Sequence, residues 1–328
     1  MKTLKSLPPP EDVDEPTMRD AIWESGYLLE RRVTAALRNL GYKAETNKGF
    51  LDTETNKSRE YDVYAYKEVP IFNEGSFCIY PTLICECKNY RQPIVFFIQD
   101  KEEFEPFQDE VRVSGIPSKV WQGDTNKYVS IQEFTGIDKI HHYCKPEASV
   151  ATQCCTFELK KDKSRWVANQ GDELYEIFRT LTKALEYEID NDYKNMKQWA
   201  EPEETEKEFI DLSFYYPLVI FQGDIYTTQS NRNDKPEKSQ LTFNKCEHIQ
   251  YNPEYFSFYD NEVIYYHLDV ITESFMPQYL KLIEKEMEEV RKKFLDQKKE
   301  IIYSVNRTMM ECKSLEKKPS TYRKYLEC

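Results

Sequence analysis

The run Cys78–Lys88, CIYPTLICECK, constrains this 328-residue chain more than any other segment. Side chains two apart in a strand share a face. Ile84, Glu86 and Lys88 therefore project together, while Leu83, Cys85 and Cys87 face the opposite layer. A carboxylate and an ammonium thus emerge together at the end of a buried strand. Asp62, in the preceding strand-like run Glu60–Tyr66, is placed to face them. Two carboxylates within reach of each other repel, and each is costly to bury. A divalent cation between them relieves both problems, and one or two carboxylates plus a substrate phosphate are the usual surroundings of Mg²⁺.

The rest of the chain supplies a mixed α/β frame for that strand. A helix over Asp20–Leu40 repeats Ile22, Leu29, Val33, Ala36, Leu37 and Leu40 at helical spacing and stops at Gly41. Strands are predicted at Tyr42–Thr46, Glu60–Tyr66, Cys78–Lys88 and Ser149–Leu159. A helix over Gly171–Asn195 turns Leu174, Ile177, Phe178, Leu181, Leu185 and Ile189 inward. Tyr215–Thr228 reads as a hairpin turning at Gly223-Asp224, Glu262–Thr272 as a strand, and Glu273–Leu315 as one long helix. This divides the chain into a Pro-rich acidic leader (1–19), an α/β core (20–200), appended strands (201–272) and a helical extension (273–328).

Composition removes several classes. Hydrophobic residues at 40% and aromatics at 14% exclude disorder, and the net charge of −13 excludes a uniformly basic nucleic-acid coat. A local basic groove on an acidic enzyme remains compatible with that charge. Nine cysteines, an odd number in a chain too large to need staples, read as reduced thiols of a cytoplasmic protein. No apolar run is long enough for a secretion signal or a membrane span. His141, His142, Cys144, Cys154 and Cys155 are near enough in sequence to suggest zinc, but the spacing fits no common finger. Core thiols are the better reading.

The order of helix, three strands, helix, strand and helix over residues 21–190, with Asp62 and Glu86-Cys87-Lys88 on consecutive strands, resembles the PD-(D/E)XK nuclease superfamily. The similarity is to Mrr-type restriction enzymes and Holliday-junction resolvases. It implies a restriction-endonuclease-like fold, a mixed central sheet flanked by helices, here with added C-terminal strands and a long helix. By position, Asp62 and Glu86 match the metal-binding carboxylates, and the carbonyl of Cys87 matches a further metal ligand. Lys88 matches the lysine that orients the attacking water, and Glu30 matches an acidic residue on the first helix. The E-x-K tripeptide alone carries little, since it also occurs at Glu158, Glu311 and Glu316. Only Glu86 follows both an acidic-tipped helix and a strand bearing an aspartate. Two departures stand out: Tyr61 replaces the proline of the motif, and the 23 residues between Asp62 and Glu86 require an insertion at about Glu68–Gly75.

The resemblance implies a Mg²⁺- or Mn²⁺-dependent endonuclease acting on nucleic acid, DNA in the first instance, in host defence or DNA processing. A structural alternative has Asp62 and Glu86 paired with Arg59 and Lys88 as ordinary ion pairs. The corresponding functional alternative is a non-cutting nuclease-fold subunit that binds nucleic acid or protein. Met276, Leu280, Ile283, Met287, Val290 and Phe294 form a heptad seam, interrupted at Gln297-Lys298 and resumed at Ile301 and Val305. The seam suits packing on the chain's own sheet, with a homodimer or partner helix through residues 273–315 as the second choice. Lys292-Lys293, Lys298-Lys299 and Lys317-Lys318 make this the most cationic region, a surface suited to tracking phosphates.

Overall fold

The structure is a computed structural model and describes residues 13–72, 77–90, 92–101, 111–123, 125–145, 149–160, 165–169, 172–199, 210–229, 241–252, 254–257 and 262–316. The leader before residue 13 and Lys317-Lys318 lie outside the described residues. Helices α1 (Glu15–Glu24) and α2 (Tyr27–Asn39) lead into strands β1 (Lys43–Asp52), β2 (Lys57–Tyr66), β3 (Val69–Pro70) and β4 (Phe77–Asn89). Next come β5 (Ile94–Asp100), β6 (Val113–Ser114), β7 (Lys119–Gln122), β8 (Lys127–Ser130), α3 (Ile131–Thr135), α4 (Ile137–Ile140), β9 (Ser149–Leu159), β10 (Trp166–Asn169) and α5 (Asp172–Trp199). The last part holds β11 (Ile210–Gln222), β12 (Ile225–Gln229), β13 (Asn244–Cys246), β14 (His248–Tyr251), β15 (Glu254–Ser257), β16 (Glu262–Tyr265), β17 (Leu268–Thr272), α6 (Met276–Asp296) and α7 (Lys298–Glu316).

One large mixed sheet runs β1-β2-β4-β11-β17-β14-β9-β5-β12-β13. The fold is mixed α/β, with helices on both faces of this sheet. On one face Leu29, Val33 and Leu37 of α2 meet Leu83, Cys85 and Cys87 of β4, together with the whole α6 seam. On the other, Leu174, Phe178, Leu181 and Leu185 of α5 cover Ile84, Tyr215, Val219 and Phe221. The heptad seam is therefore occupied inside the chain: Met276, Leu280, Ile283, Met287, Val290 and Phe294 are all buried, as are Ile301 and Val305. That packing removes the seam as a surface for a dimer or partner helix. Two of its lysines are also engaged, Lys292 with Glu289 at 2.8 Å and Lys293 with the Phe134 carbonyl at 2.7 Å. No helix among the described residues is long and apolar enough to cross a membrane.

Several expected elements change. The helix expected over 20–40 breaks at Ser25-Gly26 into α1 and α2, and the long C-terminal helix breaks at Gln297 where the seam was interrupted. The strand expected over 262–272 divides into β16 and β17 around Tyr266-His267. The largest correction concerns residues 215–228, which form no hairpin. β11 pairs in parallel with β4 along its whole length and with β17 on its other edge, whereas β12 leaves to pair with β5 and β13. LSFYYPLVIF is apolar without alternation, the pattern of a strand covered on both faces, which is a central strand rather than an arm of an exposed hairpin. The expected division at residue 200 fails for the same reason: β11 and β17 lie in the middle of the sheet, and α6 belongs to its covering layer.

The backbone passes close to β11 just after β6. Gly115 has φ +105°, and a Cβ there would sit 1.8 Å from the Asp211 carbonyl oxygen. Gly41, at φ +85°, has nothing nearer than the Lys67 side chain at 3.8 Å. Gly115→Ala is therefore expected to destabilise the protein by about 3 kcal/mol or more, against about 1 kcal/mol for Gly41→Ala, as read from urea unfolding midpoints. Equal losses would contradict the close approach.

Candidate active site

β2 and β4 pair antiparallel from Tyr66↔Thr82 to Val63↔Cys85, and the ladder stops there. One residue beyond, Asp62 takes the place of the ladder: its Oδ2 accepts the Cys87 backbone N–H at 2.7 Å. The same oxygen lies 3.3 Å from Lys88 Nζ, which also reaches Glu86 Oε2 at 2.8 Å. A strand period of two carries Glu86 and Lys88 to one face, and the aspartate comes to them as its own strand ends its pairing. Exposure rises outward through the group, from 5% for the Glu86 side chain to 18% for Asp62 and 25% for Lys88. The open end of the site is thus the ammonium.

Glu30 arrives from the other layer. It lies in the first turn of α2, where a carboxylate complements the helix dipole, and it is buried. Gly26, which opens that helix, packs beside both partners: a Cβ there would lie 3.5 Å from the Cys87 carbonyl oxygen and 3.7 Å from Glu30 Oε1. The structure therefore gathers all five sequence candidates, Glu30, Asp62, Glu86, Cys87 and Lys88, at one end of β4. Asn89, the next residue, donates to the Trp23 carbonyl at 3.4 Å and so fastens α1 beside the group.

Electrostatics here are unbalanced. Three carboxylates face one ammonium, and Glu30 has no ion-pair or hydrogen-bond partner for its carboxylate among the described residues. Burial, then the Asp62 charge, raises the Glu30 pKa. Burial, then Asp62, lifts Glu86 to about 7 despite the opposing pull of Lys88. Burial alone would lower the Lys88 pKa, but Glu86 and Asp62 overcome it and raise the ammonium above its ordinary value. Lys88 is consequently a permanent cation and a hydrogen-bond donor, not a base. A divalent cation fits this donor set: hard oxygen ligands from Asp62, Glu86, Glu30 and the Cys87 carbonyl, in a cluster that holds surplus negative charge.

Arg59 takes no part. Its Nε stands 2.7 Å from Asp52 Oδ2, in a buried network completed by Lys183 at 2.9 Å from the same oxygen. The ion-pair alternative thus survives only for Lys88. Among the other E-x-K sites, Glu158 and Lys160 are exposed at the end of β9 beside the β10 edge, and Glu311 and Glu316 lie on helix α7. The His/Cys group near residue 141 disperses: Cys154 packs under α5, whereas His142 turns toward Asp269 and Glu286 from distant parts of the chain. No local spacing could have pointed to those two carboxylates. Comparison of the chain with protein-family models, curated proteins and solved structures found no match.

The raised Glu86 pKa has a definite consequence for stability. A carboxyl whose folded pKa lies above its unfolded value binds more protons when folded, so stability falls as pH rises from about 4.5 to about 7. In chelator, wild type is expected to lose roughly 2–3 kcal/mol through this group over that range. Glu86→Gln is expected to lack this loss, becoming the more stable protein at pH 8 and matching wild type near pH 4.5. Urea unfolding at both pH values checks this, and a pH-independent difference between the two proteins would contradict it.

Proposed function

We propose that the chain is a metal-dependent nuclease of restriction-endonuclease-like fold that hydrolyses phosphodiester bonds of nucleic acid, DNA in the first instance, with Mg²⁺ or Mn²⁺. The observation that carries this reading is the meeting of Asp62, Glu86 and Lys88 within hydrogen-bonding distance at the end of β4, with Glu30 and the Cys87 carbonyl alongside. Chain order supports it in part. α2, then β1, β2 and β4, come in the order that the PD-(D/E)XK resemblance implies, whereas the strand expected at Ser149–Leu159 lies beside β5 and β14, and the parallel neighbour of β4 is β11, after α5 and outside residues 21–190.

Asp62, Glu86, Glu30 and the Cys87 carbonyl would hold the cation. When bound, such a cation polarises the scissile phosphate and lowers the pKa of water. Lys88, cationic at any physiological pH and at the open side of the group, orients the attacking water and donates to the charge that develops on the phosphate. Asp62 holds Lys88 and the Cys87 amide in place with one oxygen, and its carboxylate stands beside Glu86, where the two would share the cation. Glu30 adds negative charge from the opposite layer.

One observation favours the second reading, a non-cutting subunit of the same fold. Helix α1 and the start of α2, fastened beside the site, expose Ile22 (50%), Trp23 (65%) and Tyr27 (67%), an apolar set suited to a partner. Incubation of supercoiled plasmid with Mg²⁺ or Mn²⁺ separates the two. Wild type is expected to nick or linearise the DNA and chelator to stop it. Lys88→Ala and Asp62→Ala, checked for folding by circular dichroism, are expected to cut at least about 100-fold more slowly. No cutting by wild type would leave the non-cutting reading, and equal cutting by the variants would remove Asp62 and Lys88 from the chemistry and overturn this site.

A further inference from the structure

The chain has four histidines in 328 residues, and all four meet in one place in the core. His141 stacks on His142 with ring centroids 4.3 Å apart, His248 stands 5.8 Å from His142, and His267 stacks on Tyr143 at 5.1 Å. Two buried carboxylates face them, Asp269 from β17 and Glu286 from α6. His142 Nε2 lies 2.9 Å from Asp269 Oδ2, and His248 Nε2 lies 2.7 Å from Asp269 Oδ1. We propose that His142, His248 and Asp269 form a second metal site, for a divalent transition ion of the Zn²⁺ type, with Glu286 as the outer carboxylate that holds His142.

Four features carry the assignment. First, donor type: two imidazoles and one carboxylate suit Zn²⁺ and its neighbours, whereas Mg²⁺ takes oxygen ligands. Second, geometry: the three ligand atoms lie within 4.8 Å of one another. Ligands on a tetrahedral zinc stand about 3.3 Å apart, given Zn–N and Zn–O lengths near 2.0–2.1 Å. The His142 Nε2···Oδ2 and His248 Nε2···Oδ1 separations, made to the two different oxygens of Asp269, need to open by about half an ångström.

Third, the outer support that metal sites require is already built. Glu286 Oε1 accepts from His142 Nδ1 at 2.9 Å and from the His142 backbone N–H at 2.8 Å, while Tyr216 donates to its Oε2 at 3.0 Å. This fixes the His142 ring with Nε2 toward Asp269. Tyr143 and Tyr279 donate to Asp269 Oδ2 at 2.8 and 2.5 Å, and Phe275 stacks on the His248 ring at 5.5 Å. Fourth, there is a way in: the His248 side chain is 22% exposed, whereas Asp269 is fully buried.

Without metal, His142 serves both carboxylates as an imidazolium: burial lowers its pKa, but Asp269 and Glu286 more than offset that and raise it to about 9. An incoming cation displaces the ring protons from the two Nε2 atoms and takes over their role of neutralising Asp269. Three protein ligands leave one position to water. The ion would join the segment before β9 to β14, β17 and, through Glu286, α6. It is a different site from the oxygen cluster at β4 and stands or falls separately from the nuclease reading.

The test uses the full chain, stripped with chelator, reloaded with Zn²⁺ and passed through gel filtration. About one Zn²⁺ per chain is expected by elemental analysis, with a raised melting temperature, unaffected by excess Mg²⁺. His248→Ala is expected to weaken Zn²⁺ binding at least about 100-fold and Glu286→Gln by roughly 10–100-fold, while Asp62→Ala binds as wild type does. With Co²⁺ as probe, His248→Cys is expected to show a thiolate-to-metal charge-transfer band that wild type lacks, which reports contact at residue 248 even if His248→Ala does not fold. No Zn²⁺ retained by wild type, undiminished binding by His248→Ala, loss of binding in Asp62→Ala, or no such band would each overturn the assignment.

Discussion

The candidate site depends on β4 being gripped on both edges and released on one. β11 stays in register with β4 through Cys87↔Ile220 to Gln222↔Asn89, while β2 gives up its pairing after Val63↔Cys85. That asymmetry frees the Cys87 N–H toward β2 without loosening the strand, and a freed buried N–H must find an acceptor. Asp62 supplies it. The backbone thereby draws a carboxylate to within reach of Glu86 and Lys88, whose common face follows from the pleat.

The two polar centres of the molecule resolve buried charge differently. At the end of β4 the acidic groups outnumber their counter-charge: the Glu30 carboxylate has no ion-pair or hydrogen-bond partner among the described residues, and Glu86 holds its proton up to about 7. In the His/Asp/Glu core each carboxylate is fully surrounded by donors, and Asp269 is held well below the usual carboxylate range because His142 and His248, with their hydrogen bonds, outweigh its burial. The first is the surplus that the proposed divalent cation would neutralise, and the second is an oriented set of imidazoles around one carboxylate, on which the proposed transition-ion site rests.

Burial of Asp52 shows the ordinary structural alternative to both. Burial would raise its pKa, but Lys183 and the Thr55 side chain and backbone N–H bring it down to about 2, while Arg59 stands beside it as an ion pair. Asp52 is thus well supplied with donors. Glu30 and Glu86 are undersupplied, which separates them from it by physics rather than by motif.

Local sequence determined the strand alternation of β2 and β4, the shared face of Glu86 and Lys88, the place of Glu30 on a helix with Val33 and Leu37, and the inward stripe of α5. Each depends on side chains within a few residues, where the backbone period alone sets direction. Tertiary structure alone decided the rest. A uniformly apolar run such as LSFYYPLVIF states that it is buried but not beside which strand, so the place of β11 between β4 and β17 came only from the assembled sheet. The choice of Asp52 as the partner of Arg59 likewise came from the fold. Most of all, the meeting of His142 with Asp269 and Glu286, 127 and 144 residues away, was decided by sheet order and by the packing of α6. Contacts across such separations carry no period in the chain. They exist only once the strands have chosen their neighbours.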